Sequence, residues 1–221
     1  MSVPREDFKK TYRVLYAARA EPVVFEAPEL RCLTIDGTGS PESEAWTSAV
    51  AALYASAYAV RGALKAAGIL EYSVLPLEGQ WWPGDGLPYE ESDRDAWCWT
   101  MIIPQPPQAD DALVRTALET AARKKPALPV PSVRFGPLHE GTCAQILHVG
   151  PFADEPSTLA KLYAFLDEQG LAIAGKHHEI YLSDFRRTAP DRLKTLLRYP
   201  VRPVTRERGP RSVKPGEDAT A

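Results

Sequence analysis

RCLTIDGTGSPESEAWTSAV, residues 31–50, decides the fold. Arg31–Ile35 is apolar enough for a strand, and Gly37 and Gly39 stop it. Ser40-Pro41-Glu42 then gives a helix-start signal: a capping hydroxyl, a proline at the first helical position and an acid in the first turn. Trp46, Val50, Leu53, Ala57, Val60 and Leu64 recur at the 3.6-residue period, so the helix runs to about Ala67 and ends at Gly68. The same order returns in TCAQILHVGPFADEPSTLAKLYAFLDEQ, residues 142–169. Thr142–Val149 is a strand stopped by Gly150-Pro151. Pro156–Gln169 is a helix with Leu159, Leu162, Tyr163 and Leu166 inward, closed by Gly170. Each unit continues with two strands, Glu71–Leu77 and Trp97–Ile103 in the first, His177–Ser183 and Lys194–Val201 in the second. Residues 31–103 and 142–201 are therefore two halves of one pattern. The fold expected is α+β, a tandem βαββ repeat with pseudo-two-fold symmetry. Its antiparallel sheets carry helices and share a central ligand groove at the junction of the halves.

Between the units lie an amphipathic helix, Asp110–Lys125, with Leu113, Val114, Ala117 and Leu118 inward, and a proline-rich linker from Pro126 to Pro131. The loop between the first unit's last two strands holds Trp81, Trp82, Gly84 and Gly86. Residues 1–20 are polar, with a short helix or edge segment in KKTYRVLY, and Val23–Ala27 looks extended.

Composition narrows the class of function. The chain has 221 residues, 44% of them hydrophobic, enough for a sizeable core. A formal net charge of −3 lacks the basic excess of a nucleic-acid binder. No run of about 18 apolar residues spans a membrane, and the N-terminus has no apolar signal core. Cys32, Cys98 and Cys143 sit apart in apolar runs without metal-ligand spacing, as reduced thiols of a cytoplasmic protein do.

The segment GKHHEIYLSDFRR, residues 175–187, places Glu179 inside a strand that otherwise reads as buried. Period-two alternation puts His177, Glu179 and Tyr181 on one face and His178, Ile180 and Leu182 on the other. An ionised glutamate is rarely buried without a partner. Glu179 is thus paired, edge-exposed, or standing in a cavity that uses its charge. Pairing with Arg187 or Arg198 is the structural alternative. Adjacent His177 and His178 point to opposite faces and cannot share one metal ion, and His139 and His148 form no recognised spacing with them. No cofactor motif and no metal site is expected. Asp36-Gly37-Thr38-Gly39 is a weak glycine-loop signal.

Five stretches carry a family resemblance: FEAPELRCLTIDGTGSPES (25–43), LYASAY (53–58), PLEGQWW (76–82), WTMIIPQP (99–106) and GKHHEIYLSDFRRTAPDRLKTLLRYPV (175–201). Together they resemble the stand-alone GyrI-like proteins, a superfamily that also supplies effector-binding domains to AraC-type and MerR-type regulators. The resemblance implies a tandem βαββ fold with a groove across the pseudo-two-fold axis. It implies that the glutamate of the penultimate strand, here Glu179, points into that groove. It also implies, for some members, hydrolytic opening of the cyclopropane in cyclopropanoid DNA-alkylating natural products. Residues 1–24 are then an N-terminal extension too short for a DNA-binding unit, 25–203 the GyrI-like domain, and 204–221 a disordered tail. Phe185 departs from the proline usual in relatives and Gln80 from an apolar residue, which bears on pocket shape.

In that chemistry a carboxylate takes a proton from water attacking the least substituted cyclopropane carbon, and an apolar surround strengthens the base. Glu179 is the candidate base. Tyr181 is the candidate donor to the dienone oxygen as it gains charge. Trp82, Trp97, Trp99, Tyr54 and Tyr58 are candidates to stack on an aromatic ligand, and Glu78 is a possible second carboxylate. Each has a plainer reading: Tyr181, Trp97 and Trp99 as core, Tyr54 and Tyr58 as the core flank, Glu78 as a turn acid. The partner expected is a small aromatic molecule, with no nucleic acid and no membrane. Hydrolysis competes with sequestration of aromatic or cationic molecules, and with a protein-interaction role.

Overall fold

The computed structural model describes residues 3–87 and 91–204. The expected tail beyond residue 204 lies outside the described residues. In chain order the elements are β1 Arg5–Glu6, α1 Phe8–Thr11, β2 Val23–Ala27, β3 Leu30–Thr38, α2 Glu44–Ala66, β4 Glu71–Tyr72, β5 Glu78–Pro83, β6 Trp97–Pro104, α3 Asp111–Lys124, β7 Arg134–Leu138, β8 Gly141–Val149, α4 Glu155–Gln169, β9 Leu171–Ile173, β10 His177–Tyr181 and β11 Lys194–Pro203. Nine strands form one antiparallel sheet in the order β2-β8-β11-β10-β5-β6-β3-β7, with β9 on the end of β11.

The duplication is visible in the registers. β5 and β10 pair at the centre, where Gly79 faces Glu179. Outward from that pair, Met101 corresponds to Leu197 and Ile35 to Ile146. Four residues further, Gly39 and Gly150 occupy equivalent positions, both at positive φ (100° and 136°), which explains why each strand stops at glycine. The halves also exchange strands. β2, ahead of the first unit, pairs with β8 of the second, and β7, ahead of the second, pairs with β3 of the first.

Helix α2 packs on β3 and β6, helix α4 on β8 and β9, and the β5–β10 pair lies between them. The apolar stripe from Trp46 to Leu64 is buried as its period requires. Three local expectations change. Ser43 caps α2, its Oγ accepting from Trp46 N at 3.1 Å, while residues 40–43 make the preceding turn. The strand expected at Glu71–Leu77 is only the short β4, and the central strand is Glu78–Pro83, in what read as loop. Strand β7 went unread because Gly136 and Pro137 break its pattern; it survives at the sheet edge, where a missing N–H costs no ladder bond.

The sheet face away from α2 and α4 is crossed by residues 12–20. Tyr16 OH donates to Glu78 Oε1 at 3.1 Å, and the Leu15 carbonyl accepts from Arg198 Nη2 at 2.7 Å. Among the described residues no helix is long and apolar enough to cross a membrane. Cys32 and Cys143 are buried free thiols and Cys98 is half-buried; burial pushes Cys143 up to about 12.

Candidate functional site

Strand β10 presents His177, Glu179 and Tyr181 to the helix-covered face, and β5 presents Gly79 and Trp81 beside them. Across the pseudo-two-fold, one half thus supplies a carboxylate where the other supplies no side chain, the room beside Gly79 being taken by Met101, Trp81 and Tyr181. A Cβ at Gly79 would stand 2.5 Å from Met101 Cε, 2.9 Å from Trp81 Nε1 and 3.1 Å from Tyr181 OH. Only glycine leaves room for the hydrogen bond there, in which Trp81 Nε1 donates to Tyr181 OH at 3.0 Å. Trp81 and Tyr181 occupy equivalent positions in the two halves and meet across the axis.

Glu179 is largely buried, its side chain 14% exposed, and its Oε1 lies 3.2 Å from His177 Nε2. It pairs with neither Arg187, which neighbours Asp184, nor Arg198, which lies on the opposite face with Glu140. Burial raises the Tyr181 phenol well above its ordinary value, and the adjacent Glu179 carboxylate raises it further. The tyrosine therefore stays protonated: its oxygen accepts from Trp81 and its O–H remains a donor on the Glu179 side.

The surrounding rings form a cage. Phe152 stands edge-on to Tyr181 at 5.9 Å between centroids, Phe185 to Tyr181 at 5.8 Å, and Trp46 lies 5.7 Å from Phe185. Next to Tyr181 is a cavity of about 80 Å³ lined also by Tyr54, Leu77, Phe185 and Arg186. A larger hollow of about 620 Å³, between the N-terminal segment and β4, is lined by none of these residues.

Helix α4 brings a second carboxylate. One ligand atom each from Glu155, His177 and Glu179 lie within 4.8 Å of one another. Glu155 is 8% exposed, and its Oε1 has no hydrogen-bond partner among the described residues. Burial, then the charge of Glu179, pushes its carboxyl up to about 10. Two carboxyls and an imidazole are also a donor set for a divalent ion. The opposed directions of His177 and His178 left that combination unseen, since its third member comes from a distant helix.

The other sequence candidates scatter. Glu78 faces the opposite side, bonded to Tyr16 and 3.1 Å from His178 Nε2, so it is no second carboxylate beside Glu179. Trp82 also has the opposite parity, with Lys176 Nζ 3.2 Å from its ring centroid. Trp99 is a floor residue, 1% exposed and flat on Gly37. Trp97 is half-buried and meets Trp81 edge-on at 6.1 Å. Tyr54 lines the cavity, whereas Tyr58 is 58% exposed beyond it. Residues that sequence reasoning missed are Glu155, Phe152, Trp81 and Trp46. Glu155 and Phe152 adjoin the break Gly150-Pro151, which corresponds to Gly39-Ser40; that equivalence was the signal available.

An α+β fold of two interlocked halves, with a carboxylate and aromatic rings at their junction, defines a small-molecule-binding domain. The chain matches the model of the GyrI-like small molecule binding domain over residues 20–202, and it belongs to that family. A conserved protein of uncharacterised function from Listeria innocua is 39% identical, with a TM-score of 0.83 over 89% of this chain and 99% of that one. Two structures described as hydrolases from the same organism are each 38% identical. Their TM-scores are 0.79 and 0.81; they cover 89% and 90% of this chain, and 99% and 100% of their own. The C-terminal domain of EcmrR shares the fold at 10% identity and a TM-score of 0.50. Among curated proteins no relative matches.

Proposed function

We propose that the protein is a hydrolase that opens the strained cyclopropane of a spirocyclopropyl cyclohexadienone by adding water. Such an activity serves self-protection or detoxification against cyclopropanoid genotoxic compounds. The observation that carries this reading is the largely buried Glu179 carboxylate beside Tyr181, whose own ring meets Phe152 and Phe185. Two Listeria relatives described as hydrolases support it.

The steps balance with these two groups. Water attacks the unsubstituted cyclopropane carbon; its oxygen–carbon bond forms as the ring carbon–carbon bond breaks, and the electron pair moves into the dienone. Glu179 takes the water proton. The dienone oxygen becomes a phenolate oxygen and receives the Tyr181 proton, with the phenol oxygen held by Trp81. Glu179 then returns its proton to Tyr181. The product is the substrate plus one water, with the alkylating centre gone and the enzyme unchanged. The rings exclude competing water and hold the flat body of the ligand.

Sequestration of an aromatic cation is the second reading, favoured by two buried carboxyls close to each other and near the Tyr181 ring cluster. Incubation with a spirocyclopropyl cyclohexadienone, followed by mass spectrometry, separates the two. Hydrolysis yields a product heavier by one water, and Glu179→Gln lowers the rate by about 10²-fold or more. Recovery of intact ligand, or full turnover by a folded Glu179→Gln variant, ends the assignment.

A further inference from the structure

We propose that Glu155, His177 and Glu179 form a binding site for one divalent transition-metal ion of the Zn²⁺ type, and that an ion held there switches turnover off by occupying the carboxylate that takes the proton from water. The inhibition rests on Glu179 being the base, as proposed above; the binding does not. Three observations meet here. One ligand atom from each of the three side chains lies within 4.8 Å of the others, on elements from different parts of the chain, the start of α4 and the strand β10. His177 Nε2 and Glu179 Oε1 are 3.2 Å apart. Two ligands each about 2.0–2.1 Å from one zinc in tetrahedral geometry stand roughly 3.3 Å apart, so this pair is spaced as ion ligands are. The third observation is independent of spacing: Glu155 is 8% exposed, and its buried Oε1 has no hydrogen-bond partner among the described residues.

Local structure explains the convergence. His177 and Glu179 are two residues apart on β10 and project to one face, and Glu155 is the first residue of the helix laid over that face. The His177 ring is held from β11 and α4: its centroid is 5.0 Å from that of Tyr199, whose hydroxyl lies 3.1 Å from that of Tyr163. Among the described residues neither Glu155 nor Glu179 is paired with a lysine or arginine, whereas Glu140 on the reverse face has Arg198 Nη1 at 3.3 Å. A carboxyl oxygen taken out of water and given no donor lacks the compensation that burial requires, and an ion between the three groups supplies it. The donor set selects the ion. An imidazole with two carboxylates suits zinc-type ions, whereas Ca²⁺ and Mg²⁺ take oxygen ligands. Coordination engages the Glu179 lone pair that otherwise accepts the water proton, so the ion and the attacking water compete for one carboxylate.

Calorimetric titration of the untagged, chelator-treated whole protein with Zn²⁺ alone reads the site without any substrate. One ion per chain is expected, with a Kd of about 10 μM or tighter, and Mg²⁺ in large excess does not displace it. Glu155→Gln, His177→Gln and Glu179→Gln each weaken binding about 100-fold or more, while His139→Ala, which removes an exposed imidazole elsewhere, leaves it unchanged. X-ray absorption of the Zn²⁺ protein shows an imidazole among nitrogen and oxygen ligands at about 2.0–2.1 Å. Weaker binding by the wild type overturns the site, and so does binding that survives Glu155→Gln with far-UV circular dichroism unchanged. Turnover of the cyclohexadienone, each protein measured against its own metal-free rate, reads the inhibition. Saturating Zn²⁺ lowers kcat about 10-fold or more in the wild type, and the same Zn²⁺ concentration lowers it less than about 2-fold in Glu155→Gln. Unchanged or faster turnover with Zn²⁺ bound overturns the inhibition. Tight binding by a protein that never opens the ring supports the site and sinks the hydrolase reading instead.

Discussion

Phe185 shows how much one side chain decides in this groove. Its ring meets Tyr181, Trp46 and Phe152, and it helps wall a cavity of only about 80 Å³. A drug-sized ligand needs roughly 300 Å³ or more. Occupation of the cage therefore requires ring movement, and Phe152, at 41% exposed, is the less restrained of the two phenylalanines. Phe185→Ala removes the plug and also one stacking partner. Bulky polycyclic ligands are expected to bind about 10-fold tighter, while single-ring ligands weaken by about 0.5–1.5 kcal/mol, the worth of an aromatic pair. Fluorescence titration with one ligand of each size checks this. A change of the same sign for both removes Phe185 as the size filter.

Strand β10 serves two sites through its alternation, the ligand face with His177, Glu179 and Tyr181, and an internal charge network on the reverse. There His178 Nδ1 lies 2.9 Å from Glu140 Oε1, and Arg198 Nη1 donates to Glu140 Oε2 at 3.3 Å. Burial opposes the charge on His178, but Glu140 and Glu78 overcome it and push the imidazole up to about 9. Burial likewise works against the Glu140 carboxylate, yet His178 and Arg198 hold it down at about 2. The histidine's contribution to stability is full below its ordinary value of 6.5 and is lost as pH rises through about 9. The carboxylate's is full above 4.5 and is lost as pH falls through about 2. The network thus stabilises most between these ordinary values, and thermal melts across pH should show a plateau there. Arg198→Ala leaves Glu140 without its guanidinium partner in a buried site and should cost about 3–5 kcal/mol in urea unfolding. A loss under about 1 kcal/mol would show the network to be dispensable. The alternation of β10 was legible because period two is a local property. The network was not, because Glu140 lies in the β7–β8 turn and Tyr16 in the N-terminal segment, joined to the strand only by folding. For the same reason Glu78 was read as turn acid or ligand group. Without recognising Glu78–Pro83 as a central strand, the pattern could not say which face it occupies.

Duplication at the level of the whole molecule raises the question of whether the halves are separate folding units. The sequence shows both halves clearly, since glycine stops and helical stripes repeat in order. It does not show that they interlock, because strand exchange between units leaves no local signature. The registers show it: β5 pairs with β10 across the axis, β2 completes the second half and β7 the first. Neither half keeps a full set of paired strands without the other. Unfolding one half exposes the open edge of β5 or β10 and strips a flanking strand from its partner, so a half-folded state loses stabilisation on both sides of the axis. One cooperative transition is the expected outcome, and this chain offers a built-in test. All five tryptophans, at positions 46, 81, 82, 97 and 99, lie in the first half, so their fluorescence is weighted towards that half and the junction, where Trp46, Trp81 and Trp82 touch Phe185, Tyr181 and Lys176. Far-UV circular dichroism reports α2 and α4 together. Urea curves from the two probes should share one midpoint and one slope. Separate midpoints, with fluorescence changing while part of the helical signal persists, would mean that the halves unfold independently and that the Glu179 groove can be lost from one side alone.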